Sequence, residues 1–467
     1  FTFFIRFHNK GVEPGKNSFV RQNAALIEKL LDDVKICDPA IGSGAFPMGM
    51  MQEIYKAKMN LDLTLNPAEV KKSILKNSIY GVDIDNGAID IARLRFWLAL
   101  VVDEEEPSPL PNLDYKIMQG DSLKEEFEGI QLNNLLEESE FSFENNEGQT
   151  NLYGEKKNPQ RGLEFDEDKR IQLKNLLIDF FEPRPISEKI AKQNEIDNII
   201  HSYISEFIDR EKILILEKKD KEENILSKIK IGRNDTPSVV KNKNQNIERQ
   251  KRIIEFLKNE LRKFIKNSDK LEKIQNEKDN KPYFLWNVYF RDVLNNGGFD
   301  IIIGNPPYGG KISDDDKSLF KKLYNNVYMR THDTFNYFIS KSLNLLNKNG
   351  VLGFIVPNNL LYQNENTKTR SLLINGHELK DVINLGDNTF ENADVPTCIF
   401  IALNQQKENY RLLYSDFREE NIKNIPFFAY QTQIEKLEIN LVPDLVLGVR
   451  SQSIKIMQIM EKLRWKI

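Results

Sequence analysis

Val34-Lys35-Ile36-Cys37-Asp38-Pro39-Ala40-Ile41-Gly42-Ser43-Gly44-Ala45-Phe46 reads as a short apolar strand, a turn carrying two glycines, and the first turn of a helix. Glycine lets a backbone adopt positive φ and lets a ligand approach where a Cβ would clash. A helix that starts immediately after such a turn aims its free amides at the same space. Outward from this stretch the pattern repeats. Ala45 to about Lys58 has helical spacing, Ile79-Tyr80-Gly81-Val82-Asp83-Ile84 is a second strand, and Gly87 to Val102 is a strongly apolar helix. Tyr115-Lys116-Ile117-Met118 is a third strand, entered through the Pro107–Pro111 turn cluster. Alternating strands and helices predict an α/β fold, a Rossmann-like parallel sheet with helices on both faces.

The rhythm stops from roughly 123 to 285, where Lys, Glu, Asn, Asp and Ile/Leu dominate. Ile247 to Ile274 places Ile253, Ile254, Leu257, Leu261 and Ile265 at helical intervals among charges. The pattern fits a solvated helical hairpin or coiled coil, or an arm that contacts DNA. Residues from about 137 to 160 and 218 to 246 read as poorly ordered loops. Strand logic returns at Phe299-Asp300-Ile301-Ile302-Ile303-Gly304. A helix at Phe335–Leu346 follows, then strands at Val351–Pro357, around Val382–Leu385 and at Thr397–Ala402. The polar segment is therefore an insertion inside one α/β domain. The expected organisation is a cofactor-binding part over 1–122, a charged helical insertion over 123–285, a catalytic part over 286–404, and the start of a further C-terminal domain over 405–467.

With 467 residues the chain is long enough for two or three domains. Apolar residues make up 40%, yet no run approaches the roughly 18 needed to span a membrane. The opening Phe1-Thr2-Phe3-Phe4-Ile5 lacks a Met and a signal-peptide pattern, so the chain reads as part of something longer. Cys37 and Cys398 sit in apolar strand-like runs, the pattern of free thiols in a reducing cytoplasm, and four scattered histidines give no metal-ligand spacing. A net charge of −4 decides nothing about nucleic acid, because binding needs a local basic surface rather than a basic total.

In an open sheet a ligand lies beyond the carboxyl ends of the strands at the switch point. Asp83 ends the second strand, where an acid can accept both hydroxyls of a ribose. Asp85 stands two residues on, and a helix N-cap near Asn86 is the alternative role for Asp83. Asp121, in Gln119-Gly120-Asp121-Ser122, ends the third strand, where a carboxylate can accept the exocyclic amine of an adenine ring.

Asn305-Pro306-Pro307-Tyr308 closes the strand Phe299–Ile303. An exocyclic amine on a heteroaromatic base is a weak nucleophile because its lone pair is delocalised into the ring. The Asn305 side-chain oxygen and the Pro306 carbonyl can accept its two hydrogens and favour a pyramidal nitrogen. Pro306 and Pro307 fix φ and preorganise the loop. Tyr308 offers a face for stacking, contributing about 1–3 kcal/mol by analogy with base–aromatic platforms. A base buried in a duplex must rotate out to reach such a pocket. Phe390, ahead of the late hairpin, could form the opposite wall or pack in the core.

These strings, in this order, resemble the N6-adenine DNA methyltransferases, and among them the large type IIG restriction–modification enzymes. The matching segments are Asp38–Phe46, Tyr80–Asp85, Gly120–Ser122, Lys281–Trp286, Gly298–Tyr308 and Gly353–Pro357. The resemblance implies S-adenosylmethionine as methyl donor, held by Asp38, Pro39, Ala40, Gly42, Gly44, Asp83, Ile84, Asp121 and Ser122. It implies Asn305, Pro306, Pro307 and Tyr308 as the catalytic set, Tyr308 and Phe390 as stacking residues, and no metal. The acceptor it implies is adenine N6 in a specific sequence of double-stranded DNA. A nuclease upstream and a target-recognition domain downstream in the same polypeptide are implied as well. Gly15-Lys16-Asn17-Ser18-Phe19 departs from the Phe/Tyr-Thr-Pro element that the family carries before strand one. Other readings are a methylase of a BREX-like phage-defence system, a non-catalytic DNA-binding defence subunit, and a glutamine methylase of release-factor type. The last group shares Asn-Pro-Pro-Tyr but lacks the insertion.

Overall fold

The computed structural model describes residues 19–102, 113, 115–132, 135, 167–181, 186–233, 235–276, 281–310, 312–330, 333–386, 395–417, 431–440 and 442–447. The chain divides into two compact units, one formed by 1–124 with 282–467 and the other by 125–281.

The first unit is built on a nine-stranded sheet. Its strands are β1 (Ile36–Asp38), β2 (Ile79–Asp83), β3 (Ile117–Gln119), β6 (Phe299–Gly304), β7 (Leu346–Pro357), β8 (Glu378–Gly386), β9 (Thr397–Leu403), β10 (Arg411–Asp416) and β11 (Gln431–Glu435). Strands β4 (Glu126–Phe127) and β5 (Ile130–Gln131) form a separate ribbon in the second unit. The sheet order is β11-β10-β8-β9-β7-β6-β1-β2-β3. β1 pairs in parallel with β2 on one side and β6 on the other, and β2 with β3 and β6 with β7 are parallel too. β9 runs antiparallel between β7 and β8. Progression from β1 thus goes one way to β2 and β3 and resumes on the other side at β6, which makes β1/β6 the switch point of the sheet.

Side chains alternate across a strand, and both faces of this sheet are covered. On one face Ile36, Ile79 and Ile117 join Met51, Ile54, Ile74, Ala92 and Phe96 of the helices Ala45–Leu61, Pro67–Asn77 and Asn86–Val101. On the other, Tyr80 meets Phe290 and Phe299 edge-on at 5.2 and 5.4 Å, and Trp286 meets Phe290 at 5.6 Å. Each such pair contributes about 0.5–1.5 kcal/mol beyond its buried area. The β6–β7 pairing shifts register between Phe299 and Ile301, and Phe299 packs in the aromatic cluster while Ile301 packs in the aliphatic one.

The boundary expected at 404/405 is not where the fold breaks. β10 pairs in parallel with β8 and β11 antiparallel with β10, so both extend the same sheet. The buried Arg370 donates through Nε and Nη2 to the Asp444 carbonyl at 3.0 and 2.8 Å, and the Leu447 amide bonds to the Leu361 carbonyl at 2.8 Å. Strand pairing is main-chain work and leaves little mark in side-chain pattern, which is why the change of composition misled. The expected boundaries at 122/123 and 285/286 fall at 124/125 and 281/282.

The second unit contains the helices Glu167–Phe181, Ile186–Lys228 and Pro237–Asn276, the last two packed along one another. Ile196, Ile200, Ile204, Ile208 and Ile215 are buried along one stripe of the second helix. Of the apolar series in the third, Ile254 is buried and Ile265 is exposed. The loop expected over 218–246 is a correction: helix runs to Lys228 and resumes at Pro237, leaving a short turn. Lys and Glu are good helix formers, and their density was taken for disorder. The other expected loop, 137–160, lies outside the described residues, as does the Pro107–Pro111 cluster. No helix among the described residues is long and apolar enough to cross a membrane.

Candidate functional site

The carboxyl ends of β1, β2, β3 and β6 form one edge of the sheet, and its contacts tie the two sequence strings together. Gly42 and Gly44 have φ of +51° and +78°, and Gly44 caps the helix Ala45–Leu61. A Cβ at Gly44 would meet Ala92 Cβ at 3.2 Å, so this glycine lets the helix sit tightly on its neighbour. A Cβ at Gly42 would meet nothing within 4 Å, so this glycine faces open space. The turn is pinned to β2 twice: the Ile41 amide donates to the Val82 carbonyl at 3.0 Å, and the Gly42 amide to Asp83 Oδ2 at 2.8 Å.

Asp83 Oδ1 accepts the Asp85 amide at 2.9 Å, so each oxygen already holds one backbone N–H. A carboxylate has about four acceptor positions, which leaves two. The cap of helix Asn86–Val101 is Asp85, whose Oδ1 accepts the Gly87 amide at 2.8 Å. The N-cap alternative thus belongs to Asp85 and not to Asp83. Ile84 follows with its apolar side chain 60% exposed at the strand tip.

Asp121 Oδ1 accepts the Leu123 amide at 3.0 Å, and Oδ2 lies 3.5 Å from Lys124, which also pairs with Asp316 at 2.7 Å. Burial raises the Asp121 carboxyl pKa, and Lys124 opposes the shift. Ser122 is buried, and its hydroxyl donates to the Pro39 carbonyl at 2.6 Å. Its own carbonyl accepts Trp286 Nε1 at 3.0 Å, which joins the end of β3 to the aromatic cluster. The structure thus gives Ser122 an internal bond that locks the β1 and β3 ends together. Gly120 permits this junction, since a Cβ there would lie 2.7 Å from the Tyr283 carbonyl.

Asn305 stands at the end of β6, directly beside β1. In the register Cys37 pairs with Ile302, and a Cβ on Gly304 would lie 2.6 Å from Asp38 Oδ1. The Asn-Pro-Pro-Tyr tip and the glycine bend therefore share one edge of the sheet. Asp38 is 1% exposed, and its Oδ1 accepts the Ala40 amide at 3.0 Å. Its Oδ2 is buried without a partner. Burial pushes this carboxyl up to about 8; the Ala40 N–H opposes the shift and Asp83 adds to it. Asn305 Oδ1 is likewise a buried acceptor without a partner. Pro306 is buried, Pro307 exposed and Tyr308 half-buried.

Two residues that hold this loop escaped the sequence reading. Asp333 Oδ1 accepts the Gly309 amide at 2.9 Å, and Thr334 Oγ1 donates to the Pro307 carbonyl at 2.5 Å. Both begin the helix Thr334–Leu345, and an Asp-Thr pair before an apolar helical run is a legible N-terminus signal. Burial raises the Asp333 carboxyl pKa against the opposing Gly309 bond. Phe390 and Gly15–Ser18 lie outside the described residues. Both cysteines are free and buried. Among the described residues no group of three or more His, Cys, Asp and Glu is placed to hold a metal ion.

The chain is 26% identical over 428 residues to a putative type II restriction enzyme and methyltransferase, RM.MjaORFECS2P of Methanocaldococcus jannaschii, across 86% of this chain and 33% of that protein. It is 28% identical over 123 residues to the type II restriction enzyme and methyltransferase RM.Eco57I of Escherichia coli, across 25% of this chain and 12% of that one. Among solved structures, the type IIL restriction-modification enzyme MmeI in complex with DNA aligns with a TM-score of 0.39 at 11% identity, over 93% of this chain and 37% of that one. The chain spans about a third of the length of the first relative. A family model described as Eco57I restriction-modification methylase matches residues 77–390, more than half of the sequence, and the chain belongs to that family.

Proposed function

We propose that this site transfers a methyl group from S-adenosylmethionine to the N6 amine of an adenine rotated out of a specific DNA duplex, as the methylase of a restriction-modification enzyme. The observation that carries the reading is Asn305 Oδ1, a buried acceptor without a partner at the tip of β6, beside the glycine bend of β1. Leaving a buried acceptor unsatisfied costs about 1–3 kcal/mol, so an orphan at a strand tip is reason to look for an incoming donor. An exocyclic N–H is such a donor.

The residues present fit the methyl donor. Gly42 faces open space at positive φ, Asp83 keeps free acceptor positions for ribose hydroxyls, and Ile84 exposes an apolar surface beside them. Asp38 Oδ2 is a second buried polar atom without a partner on this edge. When bound, S-adenosylmethionine supplies an electrophilic methyl group on a sulfonium. The chain supplies position and polarity. Asn305 Oδ1 and the Pro306 carbonyl accept the two amine hydrogens and draw the nitrogen lone pair out of conjugation, Tyr308 stacks on the base, and the loop is braced by Asp333 and Thr334. Catalysis of this kind is positioning and fixed dipoles rather than covalent chemistry. Choice of the DNA sequence falls, in this reading, to a target-recognition region.

Incubation with methyl-labelled donor and adenine-containing duplexes, followed by nucleoside mass spectrometry, tests the assignment. N6-methyladenine is the expected product, and label on cytosine or on protein alone would overturn it. Asn305→Ala should abolish transfer while calorimetry still shows donor binding. Asp83→Ala should lose donor binding.

A further inference from the structure

The helical unit carries a concentration of positive charge that the proposed methyl-transfer site does not use. Residues 228–252 hold eight Lys and Arg against only two carboxylates, Asp235 and Glu248. The flanking arms do not share this excess: 186–227 hold seven basic and ten acidic residues, and 253–276 hold six and four. The segment is the end of the hairpin, comprising the last residue of helix Ile186–Lys228, the turn, and the first turns of helix Pro237–Asn276.

The turn is ordered by one internal ion pair. Asp235 Oδ2 accepts the Gly232 amide and Lys243 Nζ, each at 2.7 Å, and Lys243 also reaches the Lys230 carbonyl at 2.9 Å. Lys251 pairs with Glu248 at 3.2 Å. The remaining six cations, Lys228, Lys230, Arg233, Lys241, Arg249 and Arg252, are exposed and have no carboxylate partner among the described residues. Lys241, Arg249 and Arg252 follow one another at helical intervals and line an open cavity together with Asn244 and Gln245; the two carboxylates that also line it, Asp235 and Glu248, are already paired with Lys243 and Lys251. At about 1.5 Å per residue they cover about 16 Å of helix. Phosphates on one strand of a duplex recur about every 3.4 Å of axis, so this face spans about five of them.

A solvated helix face ordinarily interleaves charges of both signs. Six uncompensated cations repel one another, and a polyanion relieves that repulsion. We infer that the end of this hairpin, residues 228–252, is a binding surface for the phosphate backbone of duplex DNA, without sequence preference. The segment contains no Phe, Trp or Tyr, so it offers no platform on which single-stranded bases could stack. Lys, Arg, Asn and Gln are the donors that reach phosphate oxygens and fix a protein on a duplex. The inference rests on the proposed function only for duplex DNA as partner.

The test is fluorescence anisotropy of the full chain with a labelled random-sequence duplex, read as the slope of log Kobs against log salt. Replacing Lys241, Arg249 and Arg252 together by alanine should make the slope shallower by about 2.7, at about 0.9 per lost phosphate contact. Lys258→Ala with Lys263→Ala and Lys266→Ala, exposed cations further along the same helix, should leave it unchanged. An unchanged slope in the first variant, or an equal loss in both, would overturn the inference. Arg249→Lys with Arg252→Lys keeps the charge and should keep the slope, which separates charge from folding; a lost slope there counts against it. Methyl transfer is scored separately, so a chain that shows the slope change without methylating DNA refutes the functional reading alone.

Discussion

Replacing Gly304 by alanine strikes the join between the two halves of the site without altering any group proposed to bind a ligand. Gly304 is not among the positive-φ residues, so its backbone accepts a side chain without strain. The obstacle is steric. The new Cβ would stand 2.6 Å from Asp38 Oδ1 and 3.0 Å from its Cγ, whereas ordinary contact begins at 3.4 Å. Relief needs about 0.8 Å of separation, the difference between those two limits. Asp38 is 1% exposed and bonded to the Ala40 amide, so its carboxylate has little room to yield. The ends of β1 and β6 must part, carrying Asn305 away from the glycine bend. Overpacking of this kind costs about 1–3 kcal/mol of stability. A 1 Å misplacement at a reacting centre costs about a hundredfold in rate, so a loss of about ten- to a hundredfold is expected. Initial rates of labelled methyl incorporation and urea unfolding measure the two effects. Wild-type rate together with wild-type stability would refute the apposition of Asp38 and Gly304.

Three further outcomes follow from neighbouring residues. Asn305→Ala should leave stability unchanged or slightly higher while transfer is lost, because it removes a buried acceptor whose desolvation is uncompensated; urea midpoints measure this. Asp38 holds its proton up to about 8 when folded, against an ordinary 3.8, so the folded chain binds more protons than the unfolded chain between those limits. Its contribution to stability is therefore greatest below about 4, falls as pH rises to about 8, and is constant above. Asp38→Asn should remove that slope, at most about 1.4 kcal/mol per pH unit, in denaturation curves taken across the range. Ser122→Ala should cost about 1–2 kcal/mol in urea unfolding, since the buried Pro39 carbonyl loses its 2.6 Å bond, and a neutral result would refute the structural weight given to that bond.

Much of the fold was legible because its strands are short apolar runs closed by glycine turns. Phe299–Gly304 was read with the bounds that the structure gives, and Asn86–Val101 differs by one residue at each end. The carboxyl-edge placement of Asp83, Asp121 and Asn305 followed from the same rhythm. Less visible were the partners of those residues. That Asp83 receives the Gly42 amide, or that Ser122 bonds to Pro39, depends on strand ends far apart in sequence. The last two strands, β10 and β11, were missed because backbone pairing, not side-chain pattern, recruits them.

Local chemistry determined by itself that this chain contains a glycine bend after one strand, a proline-stiffened amide after another, and a charged helical insertion between them. Residue type and spacing suffice for such features because they arise from φ restriction, helix periodicity and turn preference. Only the tertiary structure decided that β6 lies directly beside β1, leaving Gly304 against Asp38 and Asn305 Oδ1 buried without a partner. Adjacency in a parallel sheet is settled by which apolar faces pack together across long loops, and burial of a single oxygen is settled by that packing.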